Sequence, residues 1–247
     1  MLGERNLTIS TFPSPRAVFP SLAAYAPGHT DVTPGVPKAV RNPFMARRIL
    51  HDHYFKQAKA EGYLARSAYK LQQINQAKRI IKRGDRVLDL GCAPGAWLQV
   101  ALELVGDQGS VVGIDLKPVE RNIAPNVVTL IGDIEKTPPQ VFLAAGTAEP
   151  RLFDCVVSDM APNTTGHGDD LVSARLCERV LDLVPDLLKP TGHLAMKILE
   201  GGETPALLKR VQRMFVKGAA YKPDASRDVS REIYLIGMGY VPPPAAH

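Results

Sequence analysis

From Arg86 onward, short apolar runs rich in β-branched residues alternate with stretches of helical period. Arg86-Val-Leu-Asp-Leu90 reads as a strand, followed by a Gly/Pro loop and a helix from about Trp97 to Val105. Ser110–Asp115 and Val127–Ile131 predict the second and third strands, a helix follows Thr137, and Phe153–Asp159 predicts the fourth strand. A long helix over Asp170–Leu188, a strand over His193–Leu199 and a helix over Thr204–Val216 come next. Two last strands are predicted at Ala219–Lys222 and Glu232–Met238. Upstream, Ala46–Ala60 and Ala65–Ile81 predict two helices broken near Gly62. Strands alternating with helices imply right-handed crossovers, hence an α/β fold with a mostly parallel, seven-stranded sheet flanked by helices. Ligands bind such sheets outside the carboxyl ends of the strands, where the strand order reverses. Polar residues at the tips of apolar strands are therefore the first places to look for chemistry.

Residues 1–44 break this pattern. Pro13, Pro15, Pro20, Pro27, Pro34 and Pro37 interrupt them and no apolar period is sustained. They read as a loosely ordered extension, or as the product of a start site placed upstream of Met45. One domain is expected over 45–241, with a short tail at 242–247. A chain of 247 residues that is 45% hydrophobic can pack such a domain. It contains no apolar run approaching the roughly 20 residues that span a bilayer, so a soluble, cytoplasmic monomer is expected. Cys92, Cys155 and Cys177 lack paired spacing, which argues against a disulfide framework or a zinc site and suits a reducing compartment. His51 and His53 stand two apart without a convincing third ligand, and no metal is expected.

Charge adds a direction. The formal net charge is +5, and basic residues crowd the stretch from Met45 to Arg83. Arg47, Arg48, Lys56, Lys59, Arg66, Lys70, Lys78, Arg79, Lys82 and Arg83 are opposed there only by Asp52 and Glu61. Such a segment fits a phosphate-bearing partner, and equally a solvated helical face. Aromatic residues make up only 6% of the chain, which argues against a broad base-stacking sheet.

The first strand runs into Asp89-Leu-Gly-Cys-Ala-Pro-Gly-Ala-Trp97. Gly91 and Gly95 permit a tight turn and a close backbone approach to a ligand. A dinucleotide fingerprint would need a glycine where Ala93 stands, and Pro94 removes an amide donor. Asp89 would also sit badly beside a pyrophosphate. It would suit the cationic sulfonium and amino groups of S-adenosylmethionine. Asp115 closes the second strand, where an acid can bind ribose hydroxyls, and Gly132-Asp133 follows the third, placed for an adenine amino group. Either aspartate alone could cap the next helix. Three acids at successive strand ends, in register with the glycine loop, predict an adenosyl site.

The fourth strand ends in Ser158-Asp-Met-Ala-Pro-Asn163, and the fifth carries Lys197 inside an otherwise apolar run. A lysine on a central strand is costly unless its charge is paired, although it could reach past the strand end to water. Glu232 opens a late strand beside Arg231, where an edge ion pair is the plain alternative. Lys70 lies in the basic helix, where solvation is the default.

These residues carry a resemblance. From about Tyr54 to Tyr240 the chain resembles the FtsJ/RrmJ family of ribosomal RNA ribose 2′-O-methyltransferases, near its bacterial large-subunit members. The matching stretches are Arg66–Leu71, Asp89–Trp97, Gly113–Asp115, Gly132-Asp133, Ser158–Asn163, Met196–Ile198 and Ser230–Tyr234, in the family's order. The resemblance implies a Rossmann-like S-adenosylmethionine-dependent methyltransferase fold. It also implies a catalytic tetrad of Lys70, Asp159, Lys197 and Glu232. Cofactor contacts fall on Gly91, Gly95, Trp97, Asp115, Asp133 and Asp159. Ala96 departs from the pattern, which often has a second glycine there. The implied reaction methylates a ribose 2′-hydroxyl, with a uridine of large-subunit ribosomal RNA as the expected target, either free or in the assembled subunit. Lys197 would lie nearest the reacting oxygen, as general base or as cationic stabiliser. Asp159 would orient it, while Lys70 and Glu232 position the ribose. Arg47, Arg48, Lys56, Lys59, Arg66 and Lys78 are the expected RNA contacts. A transfer RNA or mRNA-cap enzyme of the same fold, and a catalytically silent RNA-binding factor, are the competing readings.

Overall fold

The computed structural model describes residues 54–162, 168–226 and 230–244. The extension over 1–44, Arg47, Arg48, His51, His53, Asn163 and the last residues of the tail lie outside the described residues.

Helical residues 54–61 (α1) lead through a turn at Gly62 into α2 (Ala68–Lys78). The predicted second helix extends to Ile81, but the helix stops at Lys78. Arg79 takes a left-handed conformation there, and its N–H bonds back to Asn75 O. The Asn75 side chain then accepts the Ile81 N–H at 2.8 Å, offering the backbone a partner other than the helix. The remaining elements follow as β1 (Arg86–Leu90), α3 (Ala96–Val105), β2 (Ser110–Asp115), β3 (Val127–Ile131), α4 (Pro139–Ala144) and β4 (Phe153–Ser158). They continue with α5 (Asp169–Leu187), β5 (Leu188–Leu199), α6 (Thr204–Met214), β6 (Phe215–Tyr221) and β7 (Glu232–Tyr240). Among the described residues no helix is long and apolar enough to cross a membrane.

Other boundaries also depart from the sequence reading: the last two strands, expected at Ala219–Lys222 and Glu232–Met238, span Phe215–Tyr221 and Glu232–Tyr240. β5 begins at Leu188 rather than His193, because Leu188 pairs with Phe153 ahead of an irregularity in the ladder. The helix expected to reach Val216 ends at Met214, and Phe215 opens β6, where its ring packs at 5.6 Å on Tyr240.

The sheet order is β3-β2-β1-β4-β5-β7-β6. All pairings from β3 to β5 are parallel, and β7 runs antiparallel to both β5 and β6. The order reverses between β1 and β4, so the crevice for a ligand opens above the carboxyl ends of those strands. Side chains alternate between the two faces of each strand. Leu88, Val156, Leu194, Met196 and Leu235 face a core with α4, α5 and α6. Val87, Val157, Ala195, Tyr234 and Ile236 face a second core with α2 and α3. Strand periodicity places Asp89 and Lys197 on this second face. Both are buried. The polar residues of the site therefore rise from inside an apolar layer, covered by α2 and α3.

Candidate active site

Lys197 and Tyr234 stand directly opposite one another on β5 and β7. Directly opposed residues on antiparallel strands share a face and touch. Lys197 Nζ pairs with Asp159 Oδ1 at 3.0 Å and donates to the Asp159 carbonyl at 2.5 Å. Asp159 follows β4 at the reversal of strand order, so the lysine bends toward the crevice. Tyr234 donates its hydroxyl to the same Asp159 Oδ1 at 2.7 Å. The second ion pair joins Lys70, on α2, to Glu232, which opens β7, at 2.6 Å. Ser226 Oγ adds a hydrogen bond to Glu232 Oε1 at 3.1 Å. All four tetrad residues thus come together as two ion pairs.

Tyr234 connects them. Burial, and then the charges of Asp159 and Glu232, push its phenol well above the usual range, so it remains a donor between two carboxylates. Its ring stacks on Trp97 at 5.7 Å, and the Trp97 indole donates to Ser67 O at 2.9 Å, fixing the turn that starts α2. Tyr234 and Ser226 escaped the sequence reading. A tyrosine in an apolar strand looks like core, and a serine in a loop carries no signal. The register opposite Lys197 would have singled out the tyrosine.

Beside this cluster lies a cleft of about 380 Å³ whose lining includes Gly91, Asp115, Gly132, Asp133, Asp159 and Met160. Gly91 has φ +84°, and a Cβ there would stand 2.4 Å from Met160 Cγ, so only glycine lets the loop pass the β4 tip. Asp115 receives the Ala93 N–H on Oδ2 at 3.0 Å and the Lys117 N–H on Oδ1 at 2.9 Å. It holds two loops of the cleft, and its oxygens keep lone pairs for a further donor. Asp133 accepts the Glu135 N–H at 2.9 Å, which with nearby Lys136 holds its carboxyl below the usual range. Gly95 and Trp97 do not line the cleft: a Cβ on Gly95 would meet Leu64, and Trp97 is buried against Tyr234.

Asp89 stands behind the cleft, fully buried, and among the described residues neither of its carboxylate oxygens has a hydrogen-bond partner. Burial, with the charges of Asp159 and Asp115, pushes its carboxyl well up. An unpartnered acid beneath two further acids is an electrostatic debt that a cationic ligand would relieve and a pyrophosphate would worsen. Among the described residues, Lys117 is the one basic residue lining the cleft. The donor set therefore fits a positively charged nucleoside.

Of the expected RNA contacts, Lys56 and Lys59 are exposed on α1, and Arg66 is half-buried in the turn before α2. Lys78 lies 5.2 Å from the centroid of the Tyr221 ring.

Comparison with known proteins agrees with this geometry. A ribosomal RNA large subunit methyltransferase E from Syntrophobacter fumaroxidans is 48% identical over 191 residues, covering 76% of this chain and 95% of that protein. Its namesake from Desulfatibacillum aliphaticivorans is 42% identical, over 77% of this chain and 91% of that protein. Among solved structures, a Plasmodium falciparum chain named as a ribosomal RNA methyltransferase superposes with a TM-score of 0.63 at 26% identity, covering 73% of this chain and all of that one. Fibrillarin from Aeropyrum pernix shares the fold, with a TM-score of 0.51 at 18% identity over 70% of this chain and 76% of that one. The FtsJ-like methyltransferase family matches residues 63–240, and the chain belongs to that family.

Proposed function

We propose that this enzyme transfers a methyl group from S-adenosylmethionine to a ribose 2′-hydroxyl of RNA, at a uridine of large-subunit ribosomal RNA. The observation that carries the reading is the Lys197–Asp159 pair at the mouth of an acidic cleft. The large-subunit names of relatives up to 48% identical support the choice of RNA. A cytoplasmic monomer acting on free RNA or on the assembled large subunit completes the proposal.

When bound, S-adenosylmethionine supplies an electrophilic methyl group. Asp115 and Asp133 would hold its adenosine, and Asp89 and Asp159 would face its cationic end. A ribose hydroxyl is a weak nucleophile near neutral pH and needs help as its proton leaves. An ammonium has three donors. Two of those on Lys197 are directed at Asp159 Oδ1 and O, leaving one for the reacting oxygen. Lys197 would therefore stabilise the negative charge that develops on the ribose oxygen, in a site whose groups are already fixed. The hydroxyl proton passes to water as the oxygen takes the methyl group and S-adenosylhomocysteine is released. Asp159 holds the ammonium in place, and Lys70, locked by Glu232, presents a second positive charge to the ribose. Alignment of the attacking oxygen provides much of the remaining rate.

Label transfer from radiolabelled cofactor to ribosomal RNA tests this. Lys197→Ala abolishes transfer and leaves binding of S-adenosylhomocysteine intact. Lys197→Arg keeps part of the activity if charge is what matters. Loss of cofactor binding in the alanine variant would make Lys197 structural. Sequencing the modified RNA identifies the nucleotide, and a methylated base in place of a ribose would overturn the reading.

A further inference from the structure

Two hollows continue from the cofactor cleft toward α1. The first, of about 480 Å³, shares Ala93 and Lys117 with the cleft and is also lined by Leu64 and Arg121. The second, of about 330 Å³, shares Leu64 and Arg121 with the first and runs past Arg66 and Lys59 to Phe55. The shared lining residues make one track. It passes Arg66 in the turn that leads into α2, the helix that carries Lys70.

The chemistry of this track is that of a polyanion groove. Lys59, Arg66, Lys117 and Arg121 line it, and among the described residues Glu120 is the single acid lining the two hollows. Among the described residues, Lys59, Lys117 and Arg121 make no ion pair. All three are exposed. Cations left without partners along a concave path hold mobile counterions, whose release favours binding of a phosphate chain. At the far end Phe55 is 62% exposed, a costly place for a phenyl ring unless something covers it. A base can stack on such a ring only when it is unpaired.

Resting on the proposed activity, we infer that this track binds the single-stranded RNA flanking the methylated nucleotide, with Arg121 and Lys117 contacting phosphates and Phe55 stacking a base. The surface extends substrate recognition beyond the basic N-terminal segment to the connection between β2 and β3.

A fluorescein-labelled single-stranded oligoribonucleotide titrated against the full chain tests this, with S-adenosylhomocysteine affinity as the control for folding. Arg121→Glu raises the RNA dissociation constant about tenfold and lowers the salt slope by about one. Arg121→Lys restores both. Phe55→Ala weakens binding at least about fivefold through lost stacking, with the salt slope unchanged. If RNA affinity is unchanged in Arg121→Glu and Phe55→Ala while the wild type still methylates ribosomal RNA, the groove is only a solvated face and the activity stands. If Arg121→Glu loses S-adenosylhomocysteine binding, the hollow belongs to the cofactor, and the inference is overturned. If the wild type transfers no label to any RNA, the proposed activity fails and this inference fails with it.

Discussion

Lys70 Nζ lies 2.6 Å from Glu232 Oε1, tying the helix that covers the sheet to the first residue of its last strand. Their side chains are 9% and 13% exposed. Removing one partner leaves the other charge buried without compensation, whereas removing both avoids that penalty. Glu232→Ala is therefore expected to destabilise the fold by about 3–5 kcal/mol. The double variant Lys70→Met, Glu232→Gln recovers most of that loss while remaining inactive. Urea denaturation beside label transfer checks both parts. A double variant no more stable than Glu232→Ala would show that the pair contributes more than mutual neutralisation.

Tyr234 gives a finer test, because its hydroxyl and its ring do different things. The hydroxyl holds Asp159 at 2.7 Å, and the ring stacks on Trp97. Tyr234→Phe keeps the stack and is expected to cost about 1–2 kcal/mol of stability, with a severalfold fall in kcat as Asp159 loses a fixed partner. Tyr234→Ala opens a cavity in a fully buried position and costs about 3–5 kcal/mol. A Tyr234→Phe variant with wild-type kcat would deny the hydroxyl a positioning role, and equal losses in the two variants would deny the ring a separate one. Thermal melts and initial rates at saturating substrates separate these outcomes.

How much of this was legible in sequence follows from where each residue sits. β1, β2 and β3 fall at their predicted bounds, because each is a short run dominated by apolar residues and ended by turn residues, buried in β1 and β2 and at the sheet edge in β3. Lys197 stood out because a lysine on a buried strand demands a partner, and the family resemblance supplied Asp159 as that partner. The start of β5 was hidden by Lys189-Pro-Thr-Gly192, whose composition reads as a turn although the segment belongs to the strand. The link between the two ion pairs through Tyr234 was invisible, since it depends on β7 inserting antiparallel beside β5. Gly95 and Trp97 fall where the motif puts them, but they support the neighbouring wall rather than the cleft lining.

The unpartnered Asp89 carboxyl makes stability depend on pH with a definite sign. Its acid form is favoured in the folded chain well above the ordinary carboxylate range. Between the unfolded and folded titrations, the native state holds more protons than the unfolded state. Stability therefore falls as pH rises through that window. Asp133 is depressed instead, so its contribution is present above the ordinary range and is lost on acidification. Without cofactor, Asp89→Asn is expected to raise the melting temperature at neutral pH and to flatten its decline from acid to neutral. The same substitution weakens S-adenosylhomocysteine binding, because a cationic amino group would draw Asp89 into the ionised form that asparagine cannot adopt. Melting curves across pH, with and without S-adenosylhomocysteine, test both signs. A wild type whose stability rises through the window would contradict the assignment.

Asp115 and Asp133 look equivalent in sequence, each an acid at a strand end, but the structure makes them differ. Both oxygens of Asp115 accept backbone N–H groups, from Ala93 and Lys117, in two loops that line the cleft. Asparagine there offers one acceptor and turns an NH₂ group toward the other N–H, leaving donors facing each other. Asp133 accepts from Glu135 on Oδ1 alone, while Lys136 stands 3.4 Å from Oδ2 on the surface, so asparagine can keep its one backbone bond. Asp115→Asn is therefore expected to lose about 1–3 kcal/mol of stability and to weaken S-adenosylhomocysteine binding by at least about tenfold, since the loops and the ligand depend on the same oxygens. Asp133→Asn should cost far less stability than Asp115→Asn and act mainly on affinity. Calorimetric titration paired with melting curves reads the two quantities separately. Parallel losses of stability in both variants would mean that the carboxylates act through net charge rather than through the hydrogen bonds each one makes.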